Sequence, residues 1–219
     1  TNLPHASYDL WEEKFFFFFY TATLTIGALV RAAEFASKFD YPDDEVKWLN
    51  AAERIQSGLE LLFDPDRQTY RKGLIIQDDG SLKFDNTIDI SSLYGVVMYT
   101  DIKLDSPKIL NALRSVETFL LGNNDIGGVI RYENDWYMRK TENLPPNPWF
   151  VCSLWLAQIY IQLKMTDKAQ SLIDWSTKYT LPGGVMSEQV QPVSGNPIGV
   201  APLVWSHAEL INTALDLSA

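Results

Sequence analysis

The sequence predicts an all-α fold of about seven helices with a small β-hairpin insertion, assembled from helical hairpins. Three observations lead there. Apolar residues recur at helical spacing through most of the 219-residue chain. Amphipathic, charged helices alternate along it with helices that are apolar nearly all round; the first kind covers something, and the second must be buried on every side. No motif repeats at a fixed period, which argues against an ordinary solenoid and for hairpins curved into an α/α toroid.

The elements follow in order. Residues 20–38 form the first helix, with Arg31, Glu34 and Lys38 in its second half. Five phenylalanines at 15–19 precede it and read as its buried start, without a catalytic role. The helix over 43–62 carries one apolar stripe, Val46, Leu49, Ile55, Leu59 and Leu62, among charged residues. Residues 69–75 and 81–84 flank Asp79-Gly80 and predict the β-hairpin. An apolar helix follows over 88–100. Ser106-Pro107, a cap and a proline at the first helical position, opens 107–121, whose stripe is Ile109, Leu113, Val116 and Leu120. The stretch 122–147 is long and rich in Gly, Asn and Pro, but its Tyr132, Trp136 and Tyr137 argue against disorder. Asn147-Pro148 opens the apolar helix 148–164, and Thr166-Asp167 opens the amphipathic helix 166–179. An apolar helix over 202–217 comes last. No Pro/Gly/Ser-rich linker divides the chain, so 1–219 is expected to be a single domain.

Composition excludes several classes of function. A formal net charge of −10 argues against nucleic acid and against anionic membranes. No apolar run is long enough to span a bilayer, and no secretory signal pattern is present. Cys152 is the only cysteine, which removes an internal disulfide and a Cys-based zinc site; inside an apolar helix it reads as a core thiol. A cytoplasmic home is the expectation that follows. With only His5 and His207 available, no metal site is expected, and no cofactor-binding glycine motif is present. Asp64-Pro65-Asp66 starts like a calcium loop but lacks the glycine and the closing Glu. The chain begins at Thr1-Asn2-Leu3-Pro4, so a processed protein or a piece of a longer one is expected.

The chemistry-bearing residues lie in the connections that lead into the first helix and the apolar helices. Tyr8-Asp9-Leu10-Trp11-Glu12-Glu13 precedes 20–38, and residues 85–89 precede 88–100. Residues 131–137 and Asn147-Pro148-Trp149 precede or open 148–164; Glu188 and Trp205 precede or open 202–217. In a toroid of alternating hairpins the inner helices all run the same way, so these connections open on one rim. Two carboxylates, Glu12 and Glu188, on separate connections are what glycosidic bond cleavage requires. One acid protonates the leaving oxygen, and one base activates water from the other face. Trp11, Trp136, Trp149 and Trp205 fall in or beside these connections, and aromatic faces suit the C–H faces of sugar rings. Each residue alone has a plainer account. An acid before a helix favours its dipole, a tryptophan can seal the end of a barrel, and Arg131 can pair with a nearby acid as well as grip a hydroxyl. His207 reads as support for the segment that carries Trp205.

Together these residues resemble the glucoamylase-like glycoside hydrolases, family 15. The family's Tyr-Asp-Leu-Trp-Glu-Glu pattern matches residues 8–13, its arginine motif Arg131-Tyr132, and its Asn-Pro-Trp-Phe motif Asn147-Pro148-Trp149-Phe150. Its Glu-Gln motif matches Glu188-Gln189, and its late Trp-Ser motif Trp205-Ser206. The resemblance implies a partial (α/α)6 toroid, the last seven of twelve helices. It also implies an inverting, exo-acting hydrolase that releases glucose from α-glucans or α-glucosides without a cofactor. By the same resemblance Glu12 is the general acid and Glu188 the general base. Tyr8, Asp9 and Glu13 support the acid and its subsite, with Trp11 beside it, and Arg131, Trp149 and Trp205 line the sugar pocket. An inverting pair stands about 6.5–9.5 Å apart, with the acid's pKa raised by burial or by a like charge such as Glu13.

Two departures are visible. The phenylalanines at 15–19 stand where the family has a glycine-containing segment. The family's first helical hairpins, which grip the terminal sugar, lie outside these residues, so the missing N-terminal segment is an expected partner and 1–219 alone is expected to be weakly active or inactive. Relatives acting on trehalose or α-1,6-glucans stay open as substrates. So does a non-catalytic α/α scaffold that binds carbohydrate or a protein. A sugar epimerase on a similar toroid would want histidines as acid and base, and His5 and His207 are poorly placed for that.

Overall fold

The structure, a computed structural model, describes residues 1–122 and 124–218. In chain order, β1 (Ser7–Tyr8) and β2 (Phe15–Phe18) lead into α1 (Phe19–Lys38) and α2 (Pro42–Leu59), which ends in a 3-10 turn, Glu60–Leu62. Four strands follow, β3 (Phe63–Asp64), β4 (Thr69–Tyr70), β5 (Gly73–Ile76) and β6 (Leu82–Asp85), and then α3 (Ile90–Tyr99) and α4 (Pro107–Phe119). After a long irregular segment come α5 (Phe150–Gln162), α6 (Thr166–Lys178), β7 (Gln189–Val190), β8 (Pro197–Ile198) and α7 (Val204–Ser218). Every helix that the periodicity predicts is present. Among the described residues no helix is long and apolar enough to cross a membrane. The chain divides into two compact units, residues 1–87 with 91–112 and residues 88–90 with 113–219.

In the first unit α1 and α2 form a helical hairpin. α2 buries only Ala52, Gly58 and Leu59 of its own length. The sequence expects Val46 and Leu49 in its apolar stripe; they are 58% and 39% exposed, and Leu49 lines an open cavity with Leu24 and Val30 of α1 where closer packing would bury it. α1 and α3 approach closely at glycines. A Cβ on Gly95 would fall 2.3 Å from Thr23 Oγ1, and one on Gly27 would fall 3.1 Å from Tyr99 Cβ.

An antiparallel sheet in the order β1-β2-β5-β6 packs beside them, with Ser7 opposite Phe16, Phe17 opposite Leu74 and Leu74 opposite Phe84. The phenylalanine run is therefore a correction to the sequence reading. Four of the five form β2, and only Phe19 enters the helix. Aromatic side chains favour a pleated, half-buried surface. Phe16 and Phe18, two apart on one face, stack with centroids 5.6 Å apart. Gly73 allows the pairing, since a Cβ there would lie 2.6 Å from Phe17 O. The expected hairpin turns at Asp79-Gly80 between β5 and β6, but residues 69–70 leave it and pair with β3 instead.

In the second unit α5 is the centre. Every residue from Phe150 to Tyr160 is buried, with α6 and α7 against it. Phe150, Leu154, Trp175, Met186 and Val190 form a core cluster. A chain of isolated antiparallel bridges, Leu121 to Val129, Val129 to Trp149 and Trp149 to Gln189, ties the irregular segment to the start of α5 and to the segment carrying Glu188.

α7 corrects a second expectation. It was expected to be buried on all sides, yet Val204, Ile211 and Leu215 are 78%, 60% and 62% exposed. Its buried positions are the polar Ser206 and Thr213. Its join to α5 includes hydrogen bonds, Gln158 Nε2 donating to Glu209 Oε2 (2.8 Å) and to Thr213 Oγ1 (3.0 Å), beside the packing of Leu210 on the core cluster.

Candidate active site

The residues singled out in the sequence gather in two sets, one in each unit. The first sits on the turn between β1 and β2. Asp9 organises it from inside: its Oδ1 accepts from the backbone N–H groups of Glu13 (2.7 Å) and Lys14 (3.1 Å), while its own N–H donates to Lys14 O (2.9 Å). Its Oδ2 stands 3.0 Å from Lys72 Nζ, both side chains being 3% exposed. Six residues therefore make a tight loop around one carboxylate. Glu12 tops the loop with φ of 59°, a left-handed conformation that a non-glycine residue holds only where its surroundings impose it. Its N–H donates to Asp9 O (3.0 Å).

Glu12 and Glu13 are both exposed, so this unit does not supply the burial expected for Glu12. Trp11, 8% exposed, offers little face for a sugar to stack on and packs inside the unit. Tyr8 is 63% exposed and meets Phe15 edge-on at 5.4 Å. Asp9, expected to help a subsite, is buried within the turn and acts by positioning it.

The second set surrounds Arg131, 2% exposed. Its Nε and Nη2 each donate to Asp135 at 2.7 Å, a bidentate fork, and Nη2 also reaches Tyr132 Oη at 3.4 Å. The guanidinium carbon lies 4.7 Å from the Trp149 ring and 5.0 Å from the rings of Tyr132 and Tyr137. An aromatic box thus holds a buried cation that Asp135 grips from the side. Trp149 is itself 4% exposed.

Glu188 is half-buried next to this box along the bridge from Trp149 to Gln189. Its Oε2 accepts from Gln189 Nε2 at 3.0 Å, and Gln189 Oε1 accepts from Asn147 Nδ2 at 2.9 Å. An amide relay, Asn147 to Gln189 to Glu188, therefore fixes the carboxylate's orientation. Gly199 completes the seat: with φ of +80°, its Cβ would fall 2.4 Å from Glu188 Oε2. Asp135, Asn147 as a side chain, Gln189 and Gly199 were not among the predicted site residues. Gln189 and Asn147 stood inside recognised motifs, and Asp135 lies at i+4 from Arg131.

Trp205 is half-buried, its Nε1 donating to Glu209 Oε1 (3.1 Å) and its ring 5.6 Å from Trp155. His207 does what the sequence expects. Its Nε2 accepts from the Met186 N–H at 3.0 Å, which ties α7 to the segment just before Glu188. Ser206 Oγ donates to Ser187 O (2.9 Å) for the same join. Burial pushes the Cys152 thiol well above its ordinary pKa, as fits a core position. Among the described residues no group of three or more His, Cys, Asp or Glu could hold a metal ion.

The family model described as glycosyl hydrolases family 15 matches residues 1–174 and 160–215, so the chain belongs to that family. An uncharacterized glycosyl hydrolase of Methanocaldococcus jannaschii is 27% identical over 215 residues, covering 92% of this chain and 32% of its own. Trehalase 2 of Sulfolobus acidocaldarius is 24% identical over 212 residues, covering 96% of this chain and 34% of its own. The chain thus spans about a third of the length of these relatives. Among solved structures, a bacterial glucoamylase complexed with acarbose superposes with a TM-score of 0.80 at 22% identity, over 95% of this chain and 34% of that one. Glucoamylase of Hormoconis resinae gives 0.74 at 19% identity, over 98% and 45%. The fold is accordingly that of the glucoamylases, an α/α toroid of which these residues form part.

Proposed function

We propose that the protein is an inverting, exo-acting glycoside hydrolase that releases glucose from the non-reducing end of α-glucosides. Glu12 protonates the glycosidic oxygen as the bond to the anomeric carbon breaks. Glu188 takes a proton from the water that attacks the opposite face, so an α-glucoside yields β-glucose. The observation that most supports this reading is the seating of Glu188: an amide relay orients its carboxylate, and Gly199 leaves it room beside the backbone, as a base that must hold its position would need. Glu12 stands exposed at the tip of a loop wired by Asp9, within reach of a sugar bound outside it. Arg131, Trp149, Trp205, Tyr8, Asp9, Trp11 and Glu13 frame the sugar or hold those that do. We infer further that chain beyond residues 1–219 completes the pocket and covers the open face of α7, in keeping with the third of each relative that these residues span.

The test is glucose release by the full-length protein from maltose, isomaltose and trehalose, with the product anomer followed by proton NMR. Trehalose is included because of the relative named trehalase. Glu12→Gln and Glu188→Gln are each expected to lower kcat by about 10²–10⁴-fold, the usual worth of a general acid or base. Full activity in both variants, or an initial excess of α- over β-glucose from maltose or isomaltose, would overturn the assignment.

A further inference from the structure

The turn that carries Glu12 is closed at its neck by Asp9 and Lys14, whose backbones meet in the bond from Asp9 N–H to Lys14 O. Both neck residues are charged, and both are tied to the same place. Asp9 Oδ2 stands 3.0 Å from Lys72 Nζ. Lys14 Nζ donates to Asp85 Oδ2 at 2.7 Å. Lys72 directly precedes β5, Asp85 ends β6, and the two are themselves joined, Lys72 N–H donating to Asp85 O at 2.9 Å. Four residues thus make a square. Two of its sides are backbone hydrogen bonds, two are ion pairs, and the sign of charge alternates from corner to corner.

The ion pairs differ in setting. The side chains of Asp9 and Lys72 are each 3% exposed, whereas those of Lys14 and Asp85 are 42% and 13% exposed. Asp85 is nevertheless fixed. Its Oδ1 accepts from the Thr87 N–H at 3.1 Å. Burial works against its charge, yet the hydrogen bonds from Lys14 and Thr87 hold its carboxyl below the ordinary carboxylate range. Lys72 is fixed as well, its carbonyl accepting from Phe19 N–H at 3.0 Å where α1 begins. A turn held through its neck bond alone can hinge about that bond. One whose two neck residues are each paired to a neighbouring strand end cannot hinge without breaking an ion pair. A pair as open to solvent as Lys14 and Asp85 contributes little to stability, so its effect belongs to the direction of the turn.

We propose that Lys14, Lys72 and Asp85 are positioning residues for Glu12, the square they form with Asp9 setting the direction in which the turn presents its acid to the leaving oxygen. The role rests on the hydrolase reading above, with Glu12 as its general acid. The three residues act through the turn and not on the sugar. A well-placed general acid is worth about 10²–10⁴-fold in rate, and loosening one corner of the square gives up part of that factor in the step that needs the proton.

The experiment compares two substrates of the full-length protein. In maltose the departing oxygen takes the proton of Glu12 as its bond to the anomeric carbon breaks. In α-glucosyl fluoride the C–F bond breaks and fluoride leaves as an anion with little help from an acid; attack by the water that Glu188 activates is common to both. Lys14→Met and Asp85→Asn are each expected to lower kcat on maltose about tenfold with KM within about twofold, and to keep kcat on α-glucosyl fluoride within about twofold. Their urea midpoints should stay close to that of the parent. The double variant should be no slower than either single one, and the exchanged pair, Lys14→Glu with Asp85→Lys, should regain most of the maltose rate. Unchanged maltose kcat in both single variants, or equal losses on the two substrates, overturns the positioning role. Glu12→Gln separates that outcome from failure of the hydrolase assignment. If it loses maltose and keeps the fluoride while the variants of the square behave as the parent does, the hydrolase stands and the square falls. A parent that cleaves neither substrate overturns the hydrolase, and the role of the square with it.

Discussion

Gly199 must be glycine because a carboxylate occupies the space its side chain would need. Alanine there would place Cβ 2.4 Å from Glu188 Oε2 and would be strained at φ of +80°. The backbone is held, since Glu188 N–H donates to Val200 O at 3.0 Å, so the carboxylate has to yield. A displacement of about 1 Å at a reacting group can cost about 10²-fold in rate, so with Glu188 as the proposed base Gly199→Ala is expected to lower kcat of the full-length protein on that order with little change in KM. Steady-state kinetics on maltose checks it, and an unchanged kcat would mean that the position of Glu188 is immaterial. Cys152 gives a second outcome. Fully buried and with its pKa raised, first of all by desolvation, the thiol stays protonated above the pH at which a free cysteine, pKa about 8.5, becomes reactive. An aromatic disulfide reagent at pH 8 should therefore label it only on unfolding. The sequence offered Glu12, Glu188 and Arg131 as candidates through their motifs. It did not show what seats them: Asn147 and Gln189 meet across 42 residues, and a pair of side-chain amides has no periodic signature.

The β1–β2 turn stands or falls with Asp9, whose one side chain serves two backbone N–H groups and a buried lysine. Asp9→Ala strips the turn of its internal acceptor and takes from the buried Lys72 the carboxylate 3.0 Å from its Nζ. Removing one partner of a buried pair costs about 3–5 kcal/mol, and a loss of that size is expected in urea denaturation. Asp9→Ala combined with Lys72→Met should recover part of it, because no buried ammonium then loses the Asp9 carboxylate. Recovery of nothing would show that the turn's hydrogen bonds, and not the ion pair, carry the loss. Elements of this size explain what was legible in the fold. Helices of ten residues or more repeat their apolar period several times, and all seven were read. β1, β3, β4, β7 and β8 have two residues each, too few for any alternation to show, and β2 is a run of one residue type. The pairing of β2 with β5 depends on Gly73 and is long-range, so the phenylalanines read as a helix start.

α7 carries the argument to the scale of the full protein. Val204, Ala208, Ile211 and Leu215 stand at spacings of four, three and four, one continuous stripe of the helix, and all four are exposed. Their composition is that of a core helix, yet among the described residues nothing covers the face, and sequence periodicity alone cannot tell a covered stripe from an open one. If the rest of the protein packs here, each large side chain contributes about 1.5–3 kcal/mol on burial, and the same substitution must behave differently in two settings. Leu215→Lys in the isolated 1–219 chain is expected to change stability by less than about 0.5 kcal/mol, as at other exposed positions, and to reduce self-association and binding of a hydrophobic dye. In the full-length protein it is expected to cost about 2–5 kcal/mol, by lost apolar burial and by a cation forced into an apolar seam. Urea midpoints of both proteins, each with and without Leu215→Lys, read the difference directly. Equal effects in the two settings would mean that the stripe stays open in the complete protein, and that whatever completes the sugar pocket attaches elsewhere.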